Sequence, residues 1–279
     1  MSVRAPTRLS AVLIVINLIC AGSALAQTVQ ERRQCEGDED ATVAQRIAAC
    51  SAVIKGDKTK GEKLAEIYDH RGAAYRSQGD LNAAIKDYDQ AIKLNSKSAQ
   101  AYNNRGVAYD HKGDLDRAIA DFDQSIKLRP TSLAHFNRGN AYLGKSQYDH
   151  AIDDYNQAIR LKGDFAQAFD NRCWARAVVG ILKQALADCN EALRLMPNNA
   201  ATLESRAFIF LKMTNFDAAV SGYDAALALN PKLASALYGR GLAKLKNEDT
   251  TGEADVAAAK AMQADIAEEY ARYGMPAAQ

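Results

Sequence analysis

Beyond residue 26 the residues with chemistry to offer are four cysteines, six regularly spaced arginines and two aspartate-rich strings. Cys35, Cys50, Cys173 and Cys189 contain no Cys-x-x-Cys pair, the spacing that a dithiol redox centre or half a zinc site uses. His70, His111, His135 and His150 are scattered without ligand spacing, so no metal site is expected. The strings Asp87-Tyr88-Asp89 and Asp121-Phe122-Asp123 set carboxylates at alternate positions. On a helix such positions lie about 200° apart and cannot converge on a cation. Phosphate loops, nucleophile elbows, zinc-protease helices and calcium loops do not occur in the sequence. The expectation is a protein without catalytic residues, cofactor or metal, and not an enzyme.

The arginines Arg71, Arg105, Arg138, Arg172, Arg206 and Arg240 stand 34, 33, 34, 34 and 34 residues apart. Two readings of this ladder are open: a series of guanidiniums for an anionic ligand, or a set of internal ion pairs. The spacing belongs to a larger repeat. HRGAAYRSQGDLNAAIKDYDQAIKLN, NRGVAYDHKGDLDRAIADFDQSIKLRP and NRGNAYLGKSQYDHAIDDYNQAIRLKG are copies of one unit, and three diverged copies follow. Each holds two apolar runs at helical spacing, parted by a turn such as Gly79-Asp80 or Gly113-Asp114. Each copy therefore reads as a helical hairpin. Ala84, Ala118, Ala151, Ala185, Ala219 and Ala254 mark the second run, where small residues let two helix axes approach. Pro130, Pro197 and Pro231 close three copies just past the second helix.

These residues resemble the tetratricopeptide repeat (TPR) family: small at position 8, aromatic at 11, alanine at 20, aromatic at 24, small at 27 and often proline at 32. The resemblance covers about residues 65–265, as six units at 65–98, 99–131, 132–165, 166–199, 200–233 and 234–265. It implies an all-α, right-handed superhelical solenoid of antiparallel hairpins. Residues 27–64 then read as a cysteine-containing degenerate repeat or cap, and 266–279 as a C-terminal capping helix and tail. In a hairpin turning near positions 14–16, position 7 faces position 23, which is Asp87, Asp121, Asp154 and Asp188 in the first four units. Position 23 is Gly222 in the fifth unit and Ala257 in the sixth, leaving Arg206 and Arg240 freer. The same register sets Cys173 at position 8 against Cys189 at position 24. Disulfides Cys173–Cys189 and Cys35–Cys50 are expected, with four buried free thiols as the alternative.

Composition sets the class of partner. Arg4 and Arg8, an apolar stretch from Leu9 to Ile19 and Ala24-Leu25-Ala26 read as a signal peptide, residues 1–26, cut after Ala26. The expected location is periplasmic or secreted, where an even cysteine count favours disulfides. Lys+Arg total 35 against 34 Asp+Glu; losing two arginines leaves 33 − 34 = −1. No basic excess draws the chain to nucleic acid, and no stable membrane insertion is expected after cleavage.

The resemblance further implies ligands along the face made by the first helices. At those positions stand Asn103, Phe136, Asn140, Asp170, Trp174, Phe208 and Tyr238, with Arg206 and Arg240 as possible additions. Exposed aromatics there would anchor a partner; packing between repeats is the competing account. The carboxylate clamp of some family members needs Lys and Asn in one unit and Lys and Arg in a later one, and the position-5 residues depart from it. The function expected is an exported, non-catalytic scaffold for a protein or peptide ligand. The alternatives are a self-associating or structural module, and an accessory subunit to an envelope enzyme.

Overall fold

A computed structural model describes residues 29–38, 40–56 and 60–275. The segment read as a signal peptide lies outside these. The described residues form helices and no strands, in two compact units that divide between Arg129 and Pro130.

In the first unit a helical segment at 29–36 precedes α1 (Val43–Gly56), α2 (Glu62–Gln78), α3 (Leu81–Leu94), α4 (Ala99–His111) and α5 (Leu115–Leu128). The Gly-Asp turns explain its hairpins. Gly79 adopts the left-handed conformation, φ 88°, which ends α2 without a Cβ penalty. Asp80 then caps α3, its Oδ1 accepting from the Ala83 N–H at 2.9 Å. Gly113 and Asp114 repeat the device between α4 and α5. Cys35 and Cys50 are bonded, with Cα atoms 4.7 Å apart, tying the first helical segment to α1.

The second unit runs α6 (Ser132–Gly144), α7 (Tyr148–Leu161), α8 (Ala166–Val178), α9 (Leu182–Leu195), α10 (Ala200–Lys212), α11 (Phe216–Leu229), α12 (Ala234–Lys246), α13 (Gly252–Met262) and α14 (Ile266–Arg272). Consecutive helices pack as hairpins, and α6 also touches α8, α8 touches α10, and α10 touches α12. The first helices of the hairpins thus share one face. The turns keep the left-handed residue after the glycine is lost, at Ser146, Thr214 and Glu248.

In both units the hairpin interior is set by a small residue beneath a ring. A Cβ on Gly72, Gly106 or Gly139 would come within 2.8, 2.7 and 2.8 Å of Tyr88, Phe122 and Tyr155. In the fourth hairpin Cys173 and Cys189, bonded with Cα atoms 5.3 Å apart, replace that pair.

The sixth hairpin departs from the expected register. Gly241 meets the Gly252 carbonyl and Val256, a separation of 15 where the others show 16. The spacing of the other units leads to Glu253, Val256 and Ala257, one residue before the expected Ala254, Ala257 and Ala258, and the second helix sits one residue earlier still, with Gly252, Asp255 and Val256 in those places. Ile266 and Tyr270 of α14 are buried, so the C-terminal helix packs inward through these two side chains.

Candidate functional site

The arginine ladder faces inward to acids. Arg71 holds Asp87 through two hydrogen bonds of 2.7 and 2.8 Å, Arg105 holds Asp121 at 2.8 and 2.7 Å, and Arg172 holds Asp188 at 2.9 and 2.6 Å. Arg138 holds Asp154 at 2.8 and 2.7 Å, with His135 Nδ1 2.9 Å from the same carboxylate. Such forked, charge-assisted pairs orient both partners. The free Nη1 then reaches to the preceding hairpin: Arg105 to Asp89 at 2.6 Å, Arg172 to Asn156 at 2.7 Å, and Arg71 to Ser51 of α1 at 3.0 Å. Each of these three arginines closes its own hairpin and stitches it to the helix or hairpin before. Burial pushes the Asp154 carboxyl up, but the hydrogen bonds and charges of Arg138 and His135 outweigh it and hold it below the usual range.

The last two arginines part company. Arg240, expected to be freer, holds Asp255 at 2.8 and 2.6 Å and Asp224 at 2.7 Å, and Lys244 joins Asp255 at 2.9 Å. The earlier register of the second helix is the reason, because it brings Asp255 rather than Ala257 opposite. Arg206 does lack a carboxylate: Nη1 donates to Asn190 at 3.2 Å and Nε is buried without a partner. Gly222 stands where the acid would, and a Cβ there would lie 2.9 Å from Ala207 Cβ.

The expected groove residues fare differently. In the first unit Asn103 is buried. In the second, Phe136 packs on Phe165 with ring centroids 4.7 Å apart, and Asn140 Oδ1 accepts from Tyr155 Oη and Asn171 Nδ2, both at 2.8 Å. Phe208 and Tyr238 are 1% and 0% exposed, so they are not the open anchors expected. Helix α14 covers them: Tyr270 lies edge-on to Tyr238 at 4.9 Å and to Phe208 at 5.7 Å. Tyr273 lies edge-on to Trp174 at 4.9 Å. The Tyr270 hydroxyl donates to the Ser235 carbonyl at 2.7 Å, and Lys212 Nζ donates to the carbonyls of Ala177, Val178 and Tyr273.

Between α14 and the first helices α8, α10 and α12 remains a cavity of about 260 Å³. Asp170 and Trp174 of the expected set line it, together with Glu204, Glu269, Tyr270 and Tyr273. Burial raises the Asp170 carboxyl above its usual value, although the Thr202 hydroxyl opposes the shift. Burial also raises Glu204; Ser235 opposes this and the Glu269 charge adds to it. Glu269 itself accepts from Gln263 Nε2 at 2.7 Å and from the Tyr273 hydroxyl at 3.3 Å. Glu204 follows Asp170 at 34 residues, a signal the repeat already carried. Glu269, Tyr270 and Tyr273 carry none, since they lie beyond the last repeat, in the segment read as a capping helix and tail. Among the described residues no group of His, Cys, Asp and Glu is placed to hold a metal ion, and no helix is long and apolar enough to cross a membrane.

Hairpins with small-under-aromatic interiors and first helices sharing a face define a helical repeat protein. Tetratricopeptide repeat models match residues 99–132, 132–165 and 206–269, and a TPR repeat model matches 72–110. The chain is a tetratricopeptide repeat protein, of a family whose members are generally non-catalytic interaction scaffolds. Solved structures share the fold. YrrB, a TPR protein with an unusual peptide-binding site, is 21% identical over 70% of this chain and 98% of its own, with TM-score 0.60. MamA is 22% identical over 58% and 96%, TM-score 0.54. A tetratricopeptide repeat protein from Parabacteroides merdae is 17% identical over 90% and 100%, TM-score 0.64. A search of curated protein sequences found no match.

Proposed function

We propose that this protein is an exported, non-catalytic scaffold that holds a polypeptide partner on the first-helix face of residues 130–279. The observation that carries this reading is the cavity itself, where Trp174, half-buried beside three carboxylates, stands on a face that the fold does not close completely. Peptide binding by YrrB is described for that protein and supports the reading by likeness of fold. Export through cleavage after Ala26 belongs to the same proposal, and the mass of the mature chain tests it: a chain still beginning at Met1 or Ser2 refutes export.

A photo-crosslinking residue at Ala201, which is exposed and lines the cavity, tests the partner. Lys183, exposed on the second helix α9, is the control. In the cell of origin, polypeptide adducts are expected from position 201 and not from 183. Equal adducts at both positions, or none from folded protein, overturn the scaffold reading of this face. The covering of Phe208 and Tyr238 by α14 favours a second reading, in which the chain fills its own groove as a structural module. Crosslinks from 201 to residues 266–275 alone would select it.

A further inference from the structure

The cavity under α14 has walls of one kind and charges of one sign. Trp174 and Phe208 come from α8 and α10, Tyr270 from α14 and Tyr273 from the turn that ends it. Asp170, Glu204 and Glu269 supply three carboxylates, while no lysine, arginine or histidine lines the space. Lys212, which lies over the Phe208 ring at 5.4 Å, gives its protons to three backbone carbonyls instead. Every acid of the arginine ladder described above meets a guanidinium inside the fold; of these three, Glu269 accepts from the Gln263 amide and the Tyr273 hydroxyl, and none has a cation beside it in the cavity lining.

From this geometry we infer that the cavity receives one cationic side chain, the ammonium of a lysine or the guanidinium of an arginine, presented by the partner polypeptide. Three features of the site fit that occupant. Aromatic faces attract a cation through their quadrupoles, and do so more strongly where water is excluded. A volume of about 260 Å³ lies just below the roughly 300–1,000 Å³ of drug-sized ligand sites, which suits a side chain better than a whole cofactor. The carboxylates are not placed to hold a metal ion, and a diffuse organic cation does not require them to converge. Burial raises the Asp170 and Glu204 carboxyls as it raises Asp121 beside Arg105, so what sets the cavity acids apart is that no cation lines their space.

This inference rests on the scaffold reading and sharpens it to the chemistry of one contact. Trp174 is the only tryptophan of the chain, so its emission reports on this cavity alone. The full mature protein is titrated at constant ionic strength with the capped tripeptides acetyl-Gly-Lys-Gly-amide and acetyl-Gly-Arg-Gly-amide. Acetyl-Gly-Gln-Gly-amide is the neutral control, and cadaverine the free amine. A saturable change in emission is expected with the Lys or Arg peptide and none with the Gln peptide. Glu204→Gln is expected to weaken that binding about tenfold or more at unchanged helical circular dichroism. Glu269→Gln, on the other wall, gives the same reading should the first variant fold poorly.

A flat titration with both cationic peptides, a Gln peptide that binds equally, or unchanged affinity in both folded variants would overturn the inference. Saturation by cadaverine alone would overturn it too, and assign the cavity to free amines. Crosslinked partners at position 201 with no cation response defeat this inference and leave the scaffold standing. Cation binding without partners does the reverse.

Discussion

Arg172 and Asp170 stand two residues apart on α8, as Arg206 and Glu204 do on α10, and so point to opposite sides of their helices. On the arginine side, carboxylates enter the interior already matched. Asp154 and Asp255 are pushed up by burial, yet their arginines, with His135 and Lys244, bring them below the usual range, whereas burial keeps Asp121, with Arg105 and near the Asp89 charge, above it. On the cavity side, burial raises Asp170 and Glu204, and the hydroxyls of Thr202 and Ser235 do not reverse it. The same residue types therefore do two jobs in one unit. Paired acids fix the stacking of hairpins, and acids without a cation keep an unmet preference for one. A desolvated carboxylate costs free energy unless it is matched, so the second set is a cost to folding that only a ligand can offset.

The comparison breaks most sharply at Asp188, which holds both Arg172 and Arg176 at 2.6 Å and is almost inaccessible. Asp188→Asn should leave two guanidiniums without their charge and lower the unfolding free energy by about 3 kcal/mol, read by urea denaturation. A loss under about 1 kcal/mol would mean that the ladder is decorative.

The interior beneath that pair is closed by Cys173–Cys189 rather than by glycine and tyrosine. Replacing both cysteines by serine should cost about 3 kcal/mol, the chain-entropy value for a loop of roughly 15 residues. Restoring the ancestral-looking pair, Cys173→Gly with Cys189→Tyr, should cost less, because the ring fills the space. Equal losses from the two double variants would show that packing plays no part.

Arg206 offers a way to sharpen the contrast. Gly222→Asp supplies the missing acid, but its Cβ would lie 2.9 Å from Ala207 Cβ, and overpacking should cost about 2 kcal/mol. Adding Ala207→Gly makes room and should recover most of the loss in thermal denaturation. No recovery would mean that the fifth hairpin cannot accept the pair.

The smallest effect has the opposite sign. Glu204→Gln removes a raised carboxylate and should stabilise the protein by up to about 1 kcal/mol at neutral pH. The pH profile follows the same logic. Acids raised in the folded state bind protons more readily there than in the unfolded chain, so Asp170 and Glu204 add stability as pH falls through their raised values towards the ordinary carboxylate range. Asp154 and Asp255 stabilise above that range, and their contribution is lost below it as pH falls through their depressed values. Melting temperature should therefore peak in mild acid, and the rise on its alkaline side should shrink in Glu204→Gln. A wild-type profile that falls steadily below neutral pH would contradict the assignment.

Much of this was legible beforehand because it is local or repeats locally. The period of about 34 residues, the small residues under the rings, the glycine and aspartate of the turns, and the acid 16 residues after each of the first four arginines all follow from helix geometry within one hairpin. The cysteine pair could be read the same way, since Cys173 and Cys189 occupy places that every hairpin brings together. Asp255 is not legible for a related reason: a helix register earlier by one residue shifts every later partner, and spacing shows no such shift when alanines fill the next positions.

What only the tertiary structure decided is the fate of the first-helix face. The sequence places Trp174, Phe208 and Tyr238 on it, and the same phase serves an open anchor or a packed one. Their covering depends on α14, whose Tyr273 lies 99 residues from Trp174 along the chain (273 − 174) yet has its ring centroid 4.9 Å away. A short amphipathic segment reads alike whether solvent or protein meets its apolar side. Packing against Ser235, Phe208 and Lys212 selects the second, and in doing so encloses three carboxylates that helical periodicity alone would have left in water.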